Sequence, residues 1–503
     1  MLYIVMRIEA QELLKKVTLF CIIIISMYFI VTVFNYESPS IEGYPLIVSN
    51  VTFDSISPEF SVSKNHIYAS WISTVNSHNS DVMFRKIDND SKSFSNIMNI
   101  SSTSGTSNII KLRNSENNVY ITWEDKQSGK WELLFRKSPD SGEKFGNTIH
   151  LSETTGNVHL HDLLANGNSV FVTWAANENT SSINKDVYFR KSLDRGDSFN
   201  EAINLSNSNE DSLDPHMAIN YNGSVIYVVW TECDTKHDEP ICSIVFTKSS
   251  DQGNTFTIPK KVSYTTFPYT RVMSHGTFDT TISNLNSSVD TSYLLNNASV
   301  LERINSINPF VFTTSEGKNV YILWEQEKFG TGSSDIVLTI SNDYGESFNP
   351  ALNVSNSSGI SRLAHGQLVG QNLYIVWSDT LDHNKNFDVM LRKINVNNKA
   401  GKVINLSNNT GNSVSPFVFV NNNQIFVVWV DDTNTASVTL WSGDTSGSSG
   451  VGRTLNDVNA GIYTDPLIFE ADNKMWISWT EYNNVNHRIV LIDLKKYNSL
   501  NFP

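Results

Sequence analysis

Eight times along the chain a short run closes on tryptophan with the pattern hydrophobic-x-hydrophobic-hydrophobic-Trp. It reads HIYASW to Trp71, NVYITW to Trp123, SVFVTW to Trp174 and VIYVVW to Trp230, then NVYILW to Trp324, NLYIVW to Trp377, QIFVVW to Trp429 and KMWISW to Trp479. Successive spacings are 52, 51, 56, 94, 53, 52 and 50 residues. A period near fifty, rich in β-branched and aromatic positions, is the signature of propeller blades, because one such unit cannot bury its apolar faces alone.

Each unit divides into four strands. An inner strand often follows a Pro, as in SPEFSV, DPHMAIN, NPFVFT, SPFVFV and DPLIFE, and an Asn/Gly-rich turn leads to the Trp strand. A third strand such as DVMFRK, DVYFRKS or DVMLRKI follows, and a fourth, such as NIMNIS, AINLS or VINLS, closes the unit. Short strands separated by turn signals make an antiparallel sheet. The expected fold is all-β, a closed propeller of four-stranded antiparallel blades over residues 45–495. Eight Trp strands imply eight blades; seven is the alternative, since the unit after Trp429 lacks a clear fourth strand.

The last unit ends after HRIVLID, while PLIVSNVT at Pro45 to Thr52 aligns with VINLSNNT at Val403 to Thr410. That early segment is therefore expected to supply the outer strand of the final blade, sealing the ring by pairing the chain ends and covering a bare edge. The spacing of 94 leaves about forty residues, roughly Tyr264 to Ile307, as an insertion between blades four and five. It is either a functional loop or a spacer.

Residues Val17 to Phe34 carry no charge and are long enough to cross a hydrocarbon core, with Arg7, Lys15 and Lys16 ahead of them. The expectation is a cytoplasmic segment 1–16, a transmembrane signal anchor 17–34, and the remainder outside at the cell membrane. A cleaved signal and a secreted protein is the alternative. With 37 Lys+Arg against 51 Asp+Glu and a formal charge of -14, a nucleic-acid partner is disfavoured. Outside the apolar segment two cysteines remain, Cys233 and Cys242, expected to pair as a disulfide in an oxidising compartment. A metal site with Asp234, His237 and Asp238 is the rival, at offsets that match no standard zinc spacing.

Between third and fourth strands lie SPDSGEKF, SLDRGDSF, SSDQGNTF and SNDYGESF, all fitting S-x-D-x-G-x-x-F. Asp140, Asp194, Asp251 and Asp343 accept backbone N–H groups within such a turn, Gly supplies positive φ, and Phe is expected to pack beneath the hairpin. Here the chain resembles the sialidase-like propellers, whose repeats carry the Asp box. The resemblance implies that these aspartates are structural and that an active member uses an arginine triad, a Tyr–Glu pair and an Asp. The family's Arg-Ile-Pro motif is missing: the early arginines read Phe84-Arg85-Lys86, Leu112-Arg113-Asn114 and Phe135-Arg136-Lys137. The ring size departs as well, since the family has six blades. Arg85, Arg136, Arg190 and Arg392, at equivalent repeat positions, are expected to pair with carboxylates of neighbouring blades.

Ligands of propellers meet the channel mouth, where inner strands begin. The residues just after the inner-strand Pro, or its equivalent, are Glu59, Lys111, Asp162, His216, Phe310, His365, Phe417 and Leu467; His161 and Ala364 replace the Pro in the third and sixth units. This mixture of ionisable and aromatic groups either lines a wet channel or recognises a sugar or cation. Arg271, His275 and Asp279 in the insertion, with Arg362 beside His365, are candidates for an anionic ligand. Were the chain a glycosidase, Asp162, Asp279 and Glu59 would be its acids and base. His159 and His161 should share a strand face, and a metal on His161, His216 and His365 is a further alternative; no metal or cofactor is expected. Sequons at Asn50, Asn99, Asn179, Asn204, Asn222, Asn297, Asn353 and Asn405 fit an exported chain, though several belong to the repeat. The functional expectation is a surface module binding glycan or a partner, with exo-sialidase or a structural envelope component as alternatives.

Overall fold

The structure is a computed structural model. It describes residues 45–495 apart from 51, 77–78, 91, 154–155, 180, 236–239, 264–265, 268–301, 329–331, 382–385, 398, 422–423, 434–435, 448, 456–462 and 483–484. The expected transmembrane segment therefore lies outside the described residues. Among the described residues no helix is long and apolar enough to cross a membrane.

Eight antiparallel sheets follow one another, each ordered inner, Trp, third and outer strand. In blade 1 these are Asp54–Val62, His66–Asn76, Asn79–Asp88 and Met98–Asn99. The inner strands of blades 2 to 8 are Ser107–Ser115, Val158–Asn166, Asp211–Ile219, Glu302–Thr313, Ser361–Val369, Ser413–Asn421 and Tyr463–Ala471. The Trp strand is the best buried: all eight residues of Asn118–Asp125 are shielded. A strand with blades stacked on both its faces must be apolar at successive positions, which is why periodicity two fades there. Trp71, Trp123, Trp174, Trp230, Trp324, Trp377, Trp429 and Trp479 are all almost wholly buried.

The eight-bladed reading holds. Blade 7 does have a fourth strand, Gly450–Thr454, hidden in sequence because glycine and serine replace the usual apolar pattern. Leu46–Ile47 pairs antiparallel with His487–Asp493, so the start of the described chain completes blade 8. Its bonds copy those of an ordinary blade. Val48 N–H donates to the Ile489 carbonyl and Ile489 N–H to the Ser49 hydroxyl, as Leu151 does to Leu133 and Leu133 to Ser152 in blade 2. Phe60 stacks on Phe469, ring centroids 5.2 Å apart, and joins blade 1 to blade 8.

Two boundaries differ from expectation. Residues 302–307 belong to the inner strand of blade 5, where Ile304 pairs with Lys328 and Ile307 with Glu325, so the insertion ends near residue 301. Thr266–Phe267 adds to that strand as a fifth, pairing with Arg303 and Glu302. Inner strands also begin several residues before the Pro, because each contains a bulge that sequence alternation conceals. In all eight the bulge carries a residue at positive φ: Ser57, Ile109, Leu160, Asp214, Asn308, Leu363, Ser415 and Asp465, between 40° and 55°. Non-glycine residues avoid this region, Ile most of all, so the surrounding ladder holds the bulge in place.

The four S-x-D-x-G-x-x-F turns join blades. At Gly142 (φ 82°) an added Cβ would meet the Phe84 ring of blade 1 at 2.8 Å; Gly196, Gly253 and Gly345 face Phe135, Phe189 and Phe246 in the same way. The turn's Phe does not lie under its own hairpin: Phe145 packs edge-on against Phe84 at 4.9 Å, and Phe199, Phe256 and Phe348 repeat this on the preceding blades. Lysines two positions after those rings complete the grip, Lys86 on Glu143, Lys137 on Asp197 and Lys248 on Glu346. The turn aspartates work as expected: Asp251 accepts from Ser249, Asn254 and Thr255.

The repeat arginines correct another expectation. Arg85, Arg190 and Arg392 donate to backbone carbonyls of the preceding outer strand, at Val48, Leu151 and Val354. Arg190 alone of these adds a carboxylate, Glu153, at 2.6 Å, and Arg136 donates to the Thr148 hydroxyl. The carbonyls at a short strand's end are acceptors that every blade exposes, whereas carboxylates at that joint are occasional.

Candidate functional site

Each bulge aims the following residue along the wall of the ring. Glu59, Lys111, Asp162, His216, Phe310, His365, Phe417 and Leu467 all pair with the residue just before the repeat Trp, from Ser70 to Ser478. They form one eightfold ring at mid-strand rather than at strand starts, and the positive-φ residues make a ledge on the side where the inner strands begin. Ile56, Leu160 and Leu363 stand exposed on that ledge.

Blades 1 to 4 bring charges together. Glu59 reaches Lys111 at 3.6 Å and Arg113 at 3.3 Å, and Arg113 reaches Asp162 at 3.9 Å. Asp162 also accepts backbone N–H bonds from Leu163 at 2.8 Å and Met217 at 3.0 Å, which ties blade 3 to blade 4. His216 lies 3.3 Å from Asp214 of its own bulge and 4.7 Å, centroid to centroid, from Phe310. All of these side chains except Asp162 retain about a quarter or a third of their surface.

Blades 5 to 8 are aromatic and apolar. His365 stacks on Phe417 with centroids 3.8 Å apart, and its Nδ1 accepts the Val418 N–H at 3.2 Å. Burial lowers the His365 pKa to about 4, since protonation would place a charge among packed groups. The ring is therefore neutral near pH 7 and serves as an aromatic surface with a fixed tautomer, its Nε2 carrying the proton.

Not every expected residue joins this wall. Arg271, His275 and Asp279 lie outside the described residues, as do His237 and Asp238. Cys233 and Cys242 form a disulfide between directly opposed positions of the second and third strands of blade 4. The bulge at Leu160 puts His159 and His161 on opposite faces, so they do not share one. His161 turns inward, its ring nitrogens 3.3 Å from Glu124 and 3.0 Å from Thr122, and does not meet His216 or His365. Among the described residues no group of three or more His, Cys, Asp or Glu could hold a metal ion. Arg362 lies over the Phe387 ring at 4.3 Å, at the ledge of blade 6, whereas Arg453 is in the outermost strand of blade 7.

Three further residues belong to the wall or its ledge: Arg113, Asp214 and Glu325. Arg113 stands two positions after Lys111, and Asp214 precedes the Pro; both were legible had the inner strand been read two residues further each way. Glu325 follows the repeat Trp of blade 5 and accepts the Leu363 N–H at 2.7 Å, fixing the ledge of blade 6. Burial raises its pKa, outweighing hydrogen bonds from Leu363 and Asn308.

No protein-family model matches the sequence, and no curated protein sequence matches it. Among solved structures, an ulvan lyase of polysaccharide lyase family PL25 is similar at 10% identity, over 82% of this chain and 98% of that one, with a TM-score of 0.48. A protein of unknown function from Dyadobacter fermentans DSM 18053 is similar at 15% identity over 80% and 97%, TM-score 0.40. The phage phi92 endosialidase is similar at 11% over 90% and 88%, TM-score 0.40. The likeness is one of chain course only.

Proposed function

We propose that the protein is an exported propeller, anchored through residues 17–34, that binds glycan on the inner wall of its ring. The observation carrying this reading is the division of that wall. Glu59, Lys111, Arg113, Asp162 and His216 offer fixed donors and acceptors, and Phe310, His365 and Phe417 face them with neutral rings. Sugars present hydroxyl groups at their edges and C–H groups on their faces, and a wall of this kind meets both. The Cys233–Cys242 disulfide supports export, because such bonds persist in oxidising compartments. The uncharged run from Val17 to Phe34 after Arg7, Lys15 and Lys16 supports the anchor and its orientation.

Glycan-array binding by the full-length chain tests the reading. Arg113→Met and Phe417→Ala should each weaken a bound glycan by about tenfold, the effect of losing a charge-assisted hydrogen bond or a stacked ring. Absence of binding to any glycan would favour a structural envelope role. Turnover of a fluorogenic sialoside would replace binding with hydrolysis, with Glu59 and Asp162 the first residues to substitute.

A further inference from the structure

The repeat acts as its own control, and blade 7 departs from it opposite the repeat Trp. It also lacks two braces of blades 1, 3 and 6, which blade 4, with Ser243, Lys261 and Thr247 at those places, lacks as well. In seven blades an apolar side chain stands opposite the repeat Trp on the third strand, Met83, Tyr188 and Met390 among them; blade 7 has Thr439 opposite Trp429. In blades 1, 3 and 6 an Asp–Asn bond braces the outer strand, Asp81–Asn99 at 2.7 Å, Asp186–Asn204 at 2.9 Å and Asp388–Asn405 at 2.8 Å. Ser437 and Thr454 occupy those places in blade 7. The arginine that grips the preceding outer strand in blades 1, 3 and 6 is replaced by Trp441.

Beside Thr439 a half-open cleft of about 340 Å³ lies between blades 6 and 7, with Asn409, Trp429, Asp431, Thr439, Arg453 and Thr454 on its walls. Its size is at the lower end of small-molecule sites, which run from roughly 300 to 1,000 Å³. Asp431 is the fixed charge at its base: the carboxylate accepts from Trp429 at 3.3 Å, Ser413 at 3.0 Å, Asn409 at 2.5 Å and the Thr433 N–H at 3.0 Å. A carboxylate so held stays ionised, and with the cationic Arg453 on the same cleft the lining carries no net charge, which suits a neutral ligand. The hydroxyls of Thr439 and Thr454 offer donors and acceptors of neutral character, while the Asn409 amide N–H groups are taken by Asp431 and Ser413.

We propose that this cleft is a second ligand site, separate from the inner wall, and that it takes one neutral hexopyranose unit. Its ring of hydroxyl groups pairs with the Thr439 and Thr454 hydroxyls, in the space that Met83 or Met390 fills in other blades. The proposal stands whether or not the inner wall binds glycan.

The test is titration of the full-length chain with glucose, galactose, mannose and N-acetylglucosamine separately, by calorimetry and tryptophan fluorescence. At least one is expected to bind at roughly 10 mM or tighter. Thr439→Met introduces the side chain that blades 1 and 6 carry, closes the cleft, and should abolish binding. Thr439→Val keeps the shape, removes one hydroxyl, uses the residue of blades 4, 5 and 8, and should weaken binding about fivefold even if the Met variant fails to fold. Failure of all four sugars to bind overturns the proposal. So does binding that survives Thr439→Met but falls with Arg113→Met, which would place the sugar on the inner wall.

Discussion

The Arg85 guanidinium donates to the Val48 carbonyl oxygen at 2.9 Å, and through that bond the first blade grips the strand that completes the last. The same joint occurs inside the ring between Arg190 and Leu151, and between Arg392 and Val354. A closed ring makes the three equivalent. Arg85→Met and Arg190→Met should therefore each destabilise the fold in urea unfolding by about 2 kcal/mol, since hydrogen bonds from charged donors contribute roughly 1.5–3 kcal/mol. An Arg85 variant as stable as the parent, beside a weakened Arg190 variant, would mean that blades 1 and 8 are not locked in solution.

Gly142 and Phe84 set a second expectation. Gly142→Ala combines a positive φ of 82° with a Cβ 2.8 Å from the Phe84 Cζ, so strain and overpacking add to about 2–3 kcal/mol. Part of that cost should vanish in a Phe84→Leu background. Blade 7 already pairs a turn glycine with leucine, Gly447 against Leu391. A double-mutant cycle with no coupling would contradict the contact.

What the sequence revealed, and what it hid, follows from how each feature is encoded. The blades were legible because a Trp strand buried on both faces must repeat its apolar run, and the closure because Leu46 to Ser49 imitates an outer strand. The ring from Glu59 to Leu467 was legible because Pro marks its register. The bulges were not, since Ile109 and Leu160 at positive φ break residue preferences and only the paired ladder imposes them. Nor was the target of Arg85, because a backbone carbonyl leaves no trace in side-chain pattern. Glu325 leaves no sequence trace for a related reason: it acts on the N–H of Leu363, in a different blade.

The turn aspartates predict acid sensitivity. Hydrogen bonds from Ser192 and Ser198 hold Asp194 to a pKa of about 2, and those from Thr255 and Ser249 do the same for Asp251. Both lie below the 3.8 of an unfolded aspartate, so the unfolded chain binds protons first as pH falls. Their stabilisation is complete above about pH 4 and is lost between about 4 and 2. Asp251→Asn should lower the thermal midpoint at pH 7, with the gap from the parent closing by pH 2. A gap independent of pH would show that the charge is immaterial to the turn.

His365 titrates in another window. Its folded pKa of about 4 lies below the ordinary 6.5 because burial disfavours the imidazolium. Between those values the unfolded chain binds a proton that the folded chain refuses, so stability increases with pH across the window. This contribution is full above about 6.5 and drains away as pH falls toward 4. In the His365→Phe variant the ring still stacks on Phe417, but the Val418 N–H loses its acceptor. The variant should be less stable at pH 7 by about 1–2 kcal/mol, the cost of an unpaired buried donor. The parent's advantage should then shrink as pH falls from 6.5 to 4. An NMR titration gives the direct readout, with the His365 ring unchanged down to about pH 5; a midpoint near 6.5 would mean that the aromatic half of the wall is open to water and does not offer a glycan the neutral surface assigned to it.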